Sequence, residues 1–202
     1  TSSTPTSTTS TSTSTSSTTS TSSTTSTTVP SCGTAPRTTC VEAASRRGAF
    51  QVYYGSSSDR DRLKWSWTAR AAVPVTDFGD PVTITSYLMC VYDAAGVRRE
   101  SMAPGGDSCG GRPCWKRRAT GYQYKNKDLT PDGIFKIRLR AGDAGFAQVG
   151  VQAKGANIGL PAPPFALPVT VQLIRTDGDQ CWSAVMSAPA TNAADRFKGR
   201  PD

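Results

Sequence analysis

Serine or threonine fills every one of the first 28 positions except Pro5, and a tract with no aliphatic, aromatic or charged side chain has nothing to bury. Ordering a backbone costs about 1–2 kcal/mol per residue, and without apolar burial to offset it such a segment stays solvated and extended. A folded core can therefore come only from the remaining residues. The chain divides into residues 1–29, a Ser/Thr-rich extended stalk or linker, and residues 30–202, one domain with room for a sizeable core. Fully extended, 28 residues span roughly 90 Å, enough to cross one subunit and lie against the next by strand addition. The composition suits O-glycosylation of the mucin type, with Thr4, Thr6, Thr8, Thr9, Thr11, Thr13, Thr15, Thr18, Thr19, Thr21, Thr24, Thr25, Thr27 and Thr28 as acceptor candidates. Asn126, Asn157 and Asn192 are followed two places on by Asp128, Gly159 and Ala194, so sugar on this chain is expected to be O-linked.

All 23 lysines and arginines and all 15 acids lie beyond the tract, so the net charge of +8 belongs to the domain. A basic domain attracts anionic polymers, which affects association and solubility rather than fold. Lys116, Arg117, Arg118, Lys125, Lys127, Lys136, Arg138 and Arg140 fall close together on what should be adjacent strands, as a basic stripe or as guards against edge-to-edge pairing. No run reaches the 18 or more apolar residues of a membrane span, so no membrane insertion is expected. The first residue is Thr1, and the chain is expected to be a processed product or a piece of a longer polypeptide.

Six cysteines and no histidine point to disulfides rather than zinc, and disulfides point outside a reducing cytosol. Spacing suggests a small loop closed by Cys32 and Cys40, a tight one closed by Cys109 and Cys114, and a long link between Cys90 and Cys181. Pairing Cys90 with Cys109 and Cys114 with Cys181 is the competitor.

Period-2 alternation recurs between turn signals. Leu63, Trp65 and Trp67 alternate with Lys64, Ser66 and Thr68, and Phe135, Ile137 and Leu139 with Lys136, Arg138 and Arg140. Similar patterns cover 82–92, 147–153, 169–174 and 181–186, with 50–54 and 122–124 weaker. Helix candidates are confined to 43–47 and 193–197. The expectation is an all-β, disulfide-stapled domain of antiparallel β-sandwich or jelly-roll type.

The segments D-R-L-K-W-S-W-T (61–68), D-F-G-D-P-V-T-I-T-S-Y-L-M-C-V-Y-D (77–93), C-G-G-R-P-C-W-K (109–116), P-D-G-I-F-K-I-R-L-R-A-G (131–142) and C-W-S-A (181–184) together resemble an uncharacterised β-rich domain of large bacterial secreted or cell-surface proteins, often preceded by Thr/Ser-rich linkers. The resemblance implies an envelope or extracellular setting. It implies no reaction and transfers no catalytic or binding residue.

Without histidine, Ser/His/Asp and Cys/His nucleophiles are unavailable. The acid pairs Asp59 with Asp61, Asp77 with Asp80 and Asp177 with Asp179 sit in turn contexts, where Asp bonds nearby backbone N–H groups, rather than reading as glycosidase dyads or calcium loops. No enzyme activity, cofactor, metal site or nucleic-acid partner is expected. Trp65 and Trp67 should be core, and Trp115 and Trp182 should pack against neighbouring disulfides. Tyr122 and Tyr124, interleaved with Gln123, Lys125 and Lys127, form the candidate exposed ligand face. The leading functional expectation is a self-associating structural subunit of an extracellular bacterial filament or surface assembly, a glycoprotein built from copies of itself. The alternative is a stalk-borne adhesin module binding carbohydrate or anionic polysaccharide.

Overall fold

Fourteen strands order the described residues, 1–4 and 31–202, of this computed structural model. They are β1 (Val41–Tyr53), β2 (Arg62–Ala69), β3 (Tyr87–Asp93), β4 (Gly96–Ala103), β5 (Ser108–Cys109), β6 (Arg112–Pro113), β7 (Trp115–Arg118), β8 (Gly121–Lys125), β9 (Ile134–Arg140), β10 (Gln148–Lys154), β11 (Val169–Arg175), β12 (Cys181–Met186), β13 (Thr191–Ala193) and β14 (Arg196–Gly199). Of the O-glycosylation candidates only Thr4 falls here, where it is exposed; Thr6 to Thr28 and most of the stalk lie outside the described residues.

Twelve of the strands form two layers that share β1, and β5 and β6 pair with each other in a separate hairpin. One layer runs β4-β3-β11-β12, and the other runs β1-β2-β10-β9-β8-β7, with β14 and then β13 on the other flank of β1. All pairings are antiparallel but one: Val41 and Glu42 run parallel to Trp182 and Ser183 of β12. A register shift between Ala43 and Gly48, with Arg46 at φ 57°, then carries β1 into the second layer. A bulge of this kind is how a strand changes sheets. Gly48 is required there, because its φ is +151° and a Cβ would sit 2.3 Å from the Ser66 carbonyl oxygen.

Alternation sends Leu63, Trp65 and Trp67 of β2, Val149 and Val151 of β10, and Ile137 and Leu139 of β9 into the main core. Aromatic rings bridge the layers. Trp115 lies 5.1 Å from Tyr124 and 5.3 Å from Tyr87, and Trp182 lies 5.1 Å from Phe78. The Trp67 Nε1–H also donates across the core to the Ser183 carbonyl at 3.0 Å. The expected all-β sandwich is thus present, with one parallel pair and a curl through β1.

Three local expectations need correction. Residues 43–47 continue β1 through its bulge instead of forming a helix, and 193–197 turn from β13 into β14. The strand expected from Val82 begins at Tyr87, because the Asp80 carbonyl takes the amides of Thr83, Ile84 and Thr85 in a turn and its side chain takes the Thr83 hydroxyl. The disulfides are Cys32–Cys90, Cys40–Cys181 and Cys109–Cys114, so only the last agrees with the spacing.

Those two long-range bonds pin residues 31–40 across the outer face of β3 and β11. Backbone N–H and C=O of Arg37 bond the Gln172 side chain at 3.0 and 2.7 Å, the Cys32 amide donates to Glu100 at 2.6 Å, and the Tyr92 hydroxyl donates to the Cys32 carbonyl. Beneath this strap lies a second apolar cluster of Leu88, Cys90, Tyr92, Ile174 and Cys181. That explains why all seven residues of β3 are buried: odd positions face the main core and even ones the strap. It also corrects the placement of Trp182. Neighbours on a strand point to opposite faces, so Trp182 enters the main core while Cys181 bonds under the strap.

Candidate functional site

Tyr122 and Tyr124 are not an exposed platform. Their relative exposures are 4% and 0%, because β8 is an interior strand of its layer and its alternation turns both rings inward and Gln123 and Lys125 outward. Burial raises the Tyr124 phenol above its usual range, opposed by the Asn126 side-chain hydrogen bond. Lys125 and Lys127 are exposed as expected.

Pairing makes a larger surface of what remains. On the outer side of the β1–β2–β10–β9–β8 layer, one row of directly opposed residues reads Lys198, Gln51, Lys64, Gln152, Lys136, Lys125. At about 4.8 Å per strand it is roughly 24 Å long. The next row reads Ala49, Ser66, Gly150, Arg138, Gln123, Lys116, and a third reads Thr68, Gln148, Arg140, Gly121, Arg118. Strands β2, β7, β8, β9, β10 and β14 contain no Asp or Glu. Lys125 stands directly opposite Lys136, a like-charge pairing that opposes folding unless an anion is near. None of the four ion pairs among the described residues involves this face; they join Arg70 with Glu42, Arg98 with Asp93, Arg99 with Asp132 and Arg175 with Asp177.

Of the expected stripe, Lys116, Arg118, Lys125, Lys136, Arg138 and Arg140 are brought together, whereas Arg117 alternates to the other side over the Tyr122 ring and Lys127 lies beyond β8; β2, β10 and β14 extend the stripe with Lys64, Gln152 and Lys198. Alternation alone marks those residues as outward, but only the strand order shows that they are neighbours. Beyond the three rows, Arg196 lies 5.5 Å over the Tyr53 ring and Lys154 Nζ 4.3 Å over Phe135. Three shallow grooves open along the face: about 420 Å³ around Gln51 and Arg196, about 270 Å³ over Gly150, and about 610 Å³ between Lys116 and the Cys109–Cys114 hairpin.

Asp59, Asp61 and Asp80 take the turn roles expected of them, Asp80 accepting the Val82 amide at 3.2 Å, whereas Asp177 bonds side chains. Asp61 accepts the Gly55 amide at 3.0 Å and Asp59 the Ser57 hydroxyl. Asp177 accepts the Thr85 hydroxyl at 2.7 Å and the Arg175 guanidinium. Burial pushes its carboxyl up, but those two hydrogen bonds, the Arg175 charge and a backbone hydrogen bond together outweigh burial and hold it below the usual carboxylate value. Asp77 is raised by burial and partly relieved by Arg175. Among the described residues no three Asp, Glu or Cys side chains gather to hold a metal ion. No helix among them is long and apolar enough to cross a membrane. No protein-family model, curated protein or solved structure matches the chain.

Proposed function

We propose that this chain is an extracellular, stalk-borne module that binds acidic polysaccharide on the outer face of its β1–β2–β10–β9–β8 layer. The acid-free array of Lys, Arg, Gln and Ser across that layer carries the reading. Cations there would meet carboxylate or sulfate groups, and Gln and Ser would meet sugar hydroxyls. Tyr53, exposed beside Arg196 at one end of the face, can stack on the apolar side of a sugar ring as well as on a base, so the choice between polysaccharide and nucleic acid is left to the binding test. Three disulfides support an oxidising compartment. The strap supports the stalk role, since the Ser/Thr tract enters the fold at Cys32, which is bonded to Cys90 on an interior strand.

A filament built by strand addition would need a free edge. On the outer edge of β4 the Met102 amide is taken by Asp132 at 2.8 Å, β13 is three residues long, and β7 is four residues long and carries Lys116, Arg117 and Arg118. Short, charged and covered edges resist pairing between copies, so the displayed module is the better reading.

The test is binding of the full chain to immobilised polygalacturonate, dextran sulfate, duplex DNA and neutral dextran at low and physiological salt. Retention on an acidic polysaccharide, and not on neutral dextran, is the expected result. No retention, or equal retention on neutral dextran, overturns the reading, and tighter retention on DNA replaces the partner class.

A further inference from the structure

The middle of the basic face has a hole where a side chain would fit. Gly150 is the third residue of β10, paired with Ser66 on one side and Arg138 on the other, with Gln148 and Gln152 two residues away along its own strand. The corners of this three-by-three array are Lys64 and Thr68 on β2 and Lys136 and Arg140 on β9. Every neighbour carries a hydrogen-bond donor, four carry positive charge, and none carries an acid.

Nothing in the fold demands glycine at this position. Its φ is not in the left-handed region, and a Cβ built on it would meet nothing nearer than the Trp65 carbonyl oxygen at 3.9 Å. Gly48 and Gly121, elsewhere in the same layer, are different: both have positive φ, and a Cβ would lie 2.3 Å and 2.1 Å from a carbonyl oxygen of the neighbouring strand. A strand-interior glycine without a backbone reason is the kind that lets a ligand approach the main chain closely. Its missing side chain forms the floor of the groove of about 270 Å³ walled by its longer neighbours.

We propose that this depression is a seat for one carboxylate group of a uronic-acid sugar unit, with Gly150 as its floor and Arg138 as the principal donor. This assignment rests on the polysaccharide reading above and adds a defined subsite to it. Arg138 is suited to the role because a planar guanidinium grips a carboxylate through two parallel hydrogen bonds. Lys64 and Lys136 then supply charge at the corners, and Gln148 and Gln152 reach the sugar hydroxyls.

The experiment uses the full chain, wild type and the variants Gly150→Ala and Gly150→Val, with polygalacturonate and its methyl ester as probes. Both substitutions leave every charge in place, so diffuse attraction is unchanged and only the floor is filled. The expected result is binding of polygalacturonate but not the methyl ester, a loss of tenfold or more in Gly150→Val, an intermediate loss in Gly150→Ala, and melting temperatures no lower than wild type. Inorganic sulfate and acetate titrated against the labelled chain should move the Gly150 and Arg138 amide resonances before others, acetate the more strongly. Unchanged affinity in Gly150→Val overturns the seat and leaves the face reading standing. A stronger response to sulfate overturns the carboxylate assignment. Failure of the wild type to bind any acidic polymer removes both.

Discussion

Two glycines in one layer should respond to the same substitution in opposite directions. Gly121 sits at φ +154° with the Leu139 carbonyl oxygen 2.1 Å from where a Cβ would be, so alanine there forces the β8 and β9 backbones apart. Gly150 has ordinary strand geometry and room for a methyl group. Alanine at a compatible site stabilises by about 0.4–1 kcal/mol, chiefly by restricting the unfolded chain, whereas an incompatible site loses more than that. Gly150→Ala is therefore expected to raise the urea midpoint slightly and Gly121→Ala to lower stability by about 1–3 kcal/mol, the usual cost of a strained backbone. Equal losses would mean that the fold, and not a ligand, requires a glycine at 150. The aromatic residues make a related point. Tyr122 and Tyr124 alternate with Gln123 and Lys125, so their parity was legible in the sequence. Which parity faced water was not, because β7 and β9 flank β8, Trp115 of β7 packs on Tyr124, and Tyr87 of the opposite layer packs on Trp115, contacts that only the fold reveals.

Among the elements, the strap is the least legible in the sequence. Strands β2, β9 and β10 follow from alternation because a half-buried strand must alternate, while β11 and β12, buried on both faces, still show it through Thr170, Gln172 and Ser183. β1 does not, since its bulge at 43–48 interrupts the pattern with A-A-S-R-R, which looks like a fragment of helix. Cysteine spacing favoured local loops because short loops close most easily, yet Cys32 and Cys40 bond partners 58 and 141 residues away. They do so because residues 31–40 cover an apolar sheet face whose existence depends on β3 being buried twice. The two classes of bond should differ in strength of effect. In the chain-entropy picture a disulfide contributes more as its loop lengthens, from about 2 kcal/mol for the short Cys109–Cys114 hairpin to roughly 4–5 kcal/mol for loops near 100 residues and beyond. Replacing Cys40 and Cys181 by serine together should therefore lower the urea midpoint most, Cys32 with Cys90 next, and Cys109 with Cys114 least. A hairpin variant that unfolds first would show that β5 and β6 anchor the β7 edge more than the strap anchors the outer face.

Across the whole molecule, charge and attachment are placed on different layers. Cys32, the first strap residue bonded into the fold, lies on the outer side of β3 and β11, while the basic rows lie on the outer side of β2, β10 and β9, so on the proposed stalk reading the cations face away from the point of attachment. Net charge alone does not make this arrangement. The chain carries +8 wherever the cations sit, and a diffuse +8 attracts any polyanion. A placed array does something further: each cation that neutralises a polymer charge releases a counterion, and log affinity then falls linearly with log salt, by on the order of 0.7–0.9 per contact in nucleic acids. The double variant Lys64→Gln with Lys136→Gln removes two charges from the centre of the face, and Arg37→Gln with Arg60→Gln removes two exposed ones elsewhere. Both lower net charge equally. The first pair is expected to flatten the salt dependence of polygalacturonate binding by on the order of one to two in slope, and the second to shift affinity slightly at low salt with the slope unchanged. Equal slopes for the two pairs would assign the attraction to overall charge, and the alternation of Lys and Gln across β14, β1, β2, β10 and β9 would then be a solvated sheet face with no polymer to match.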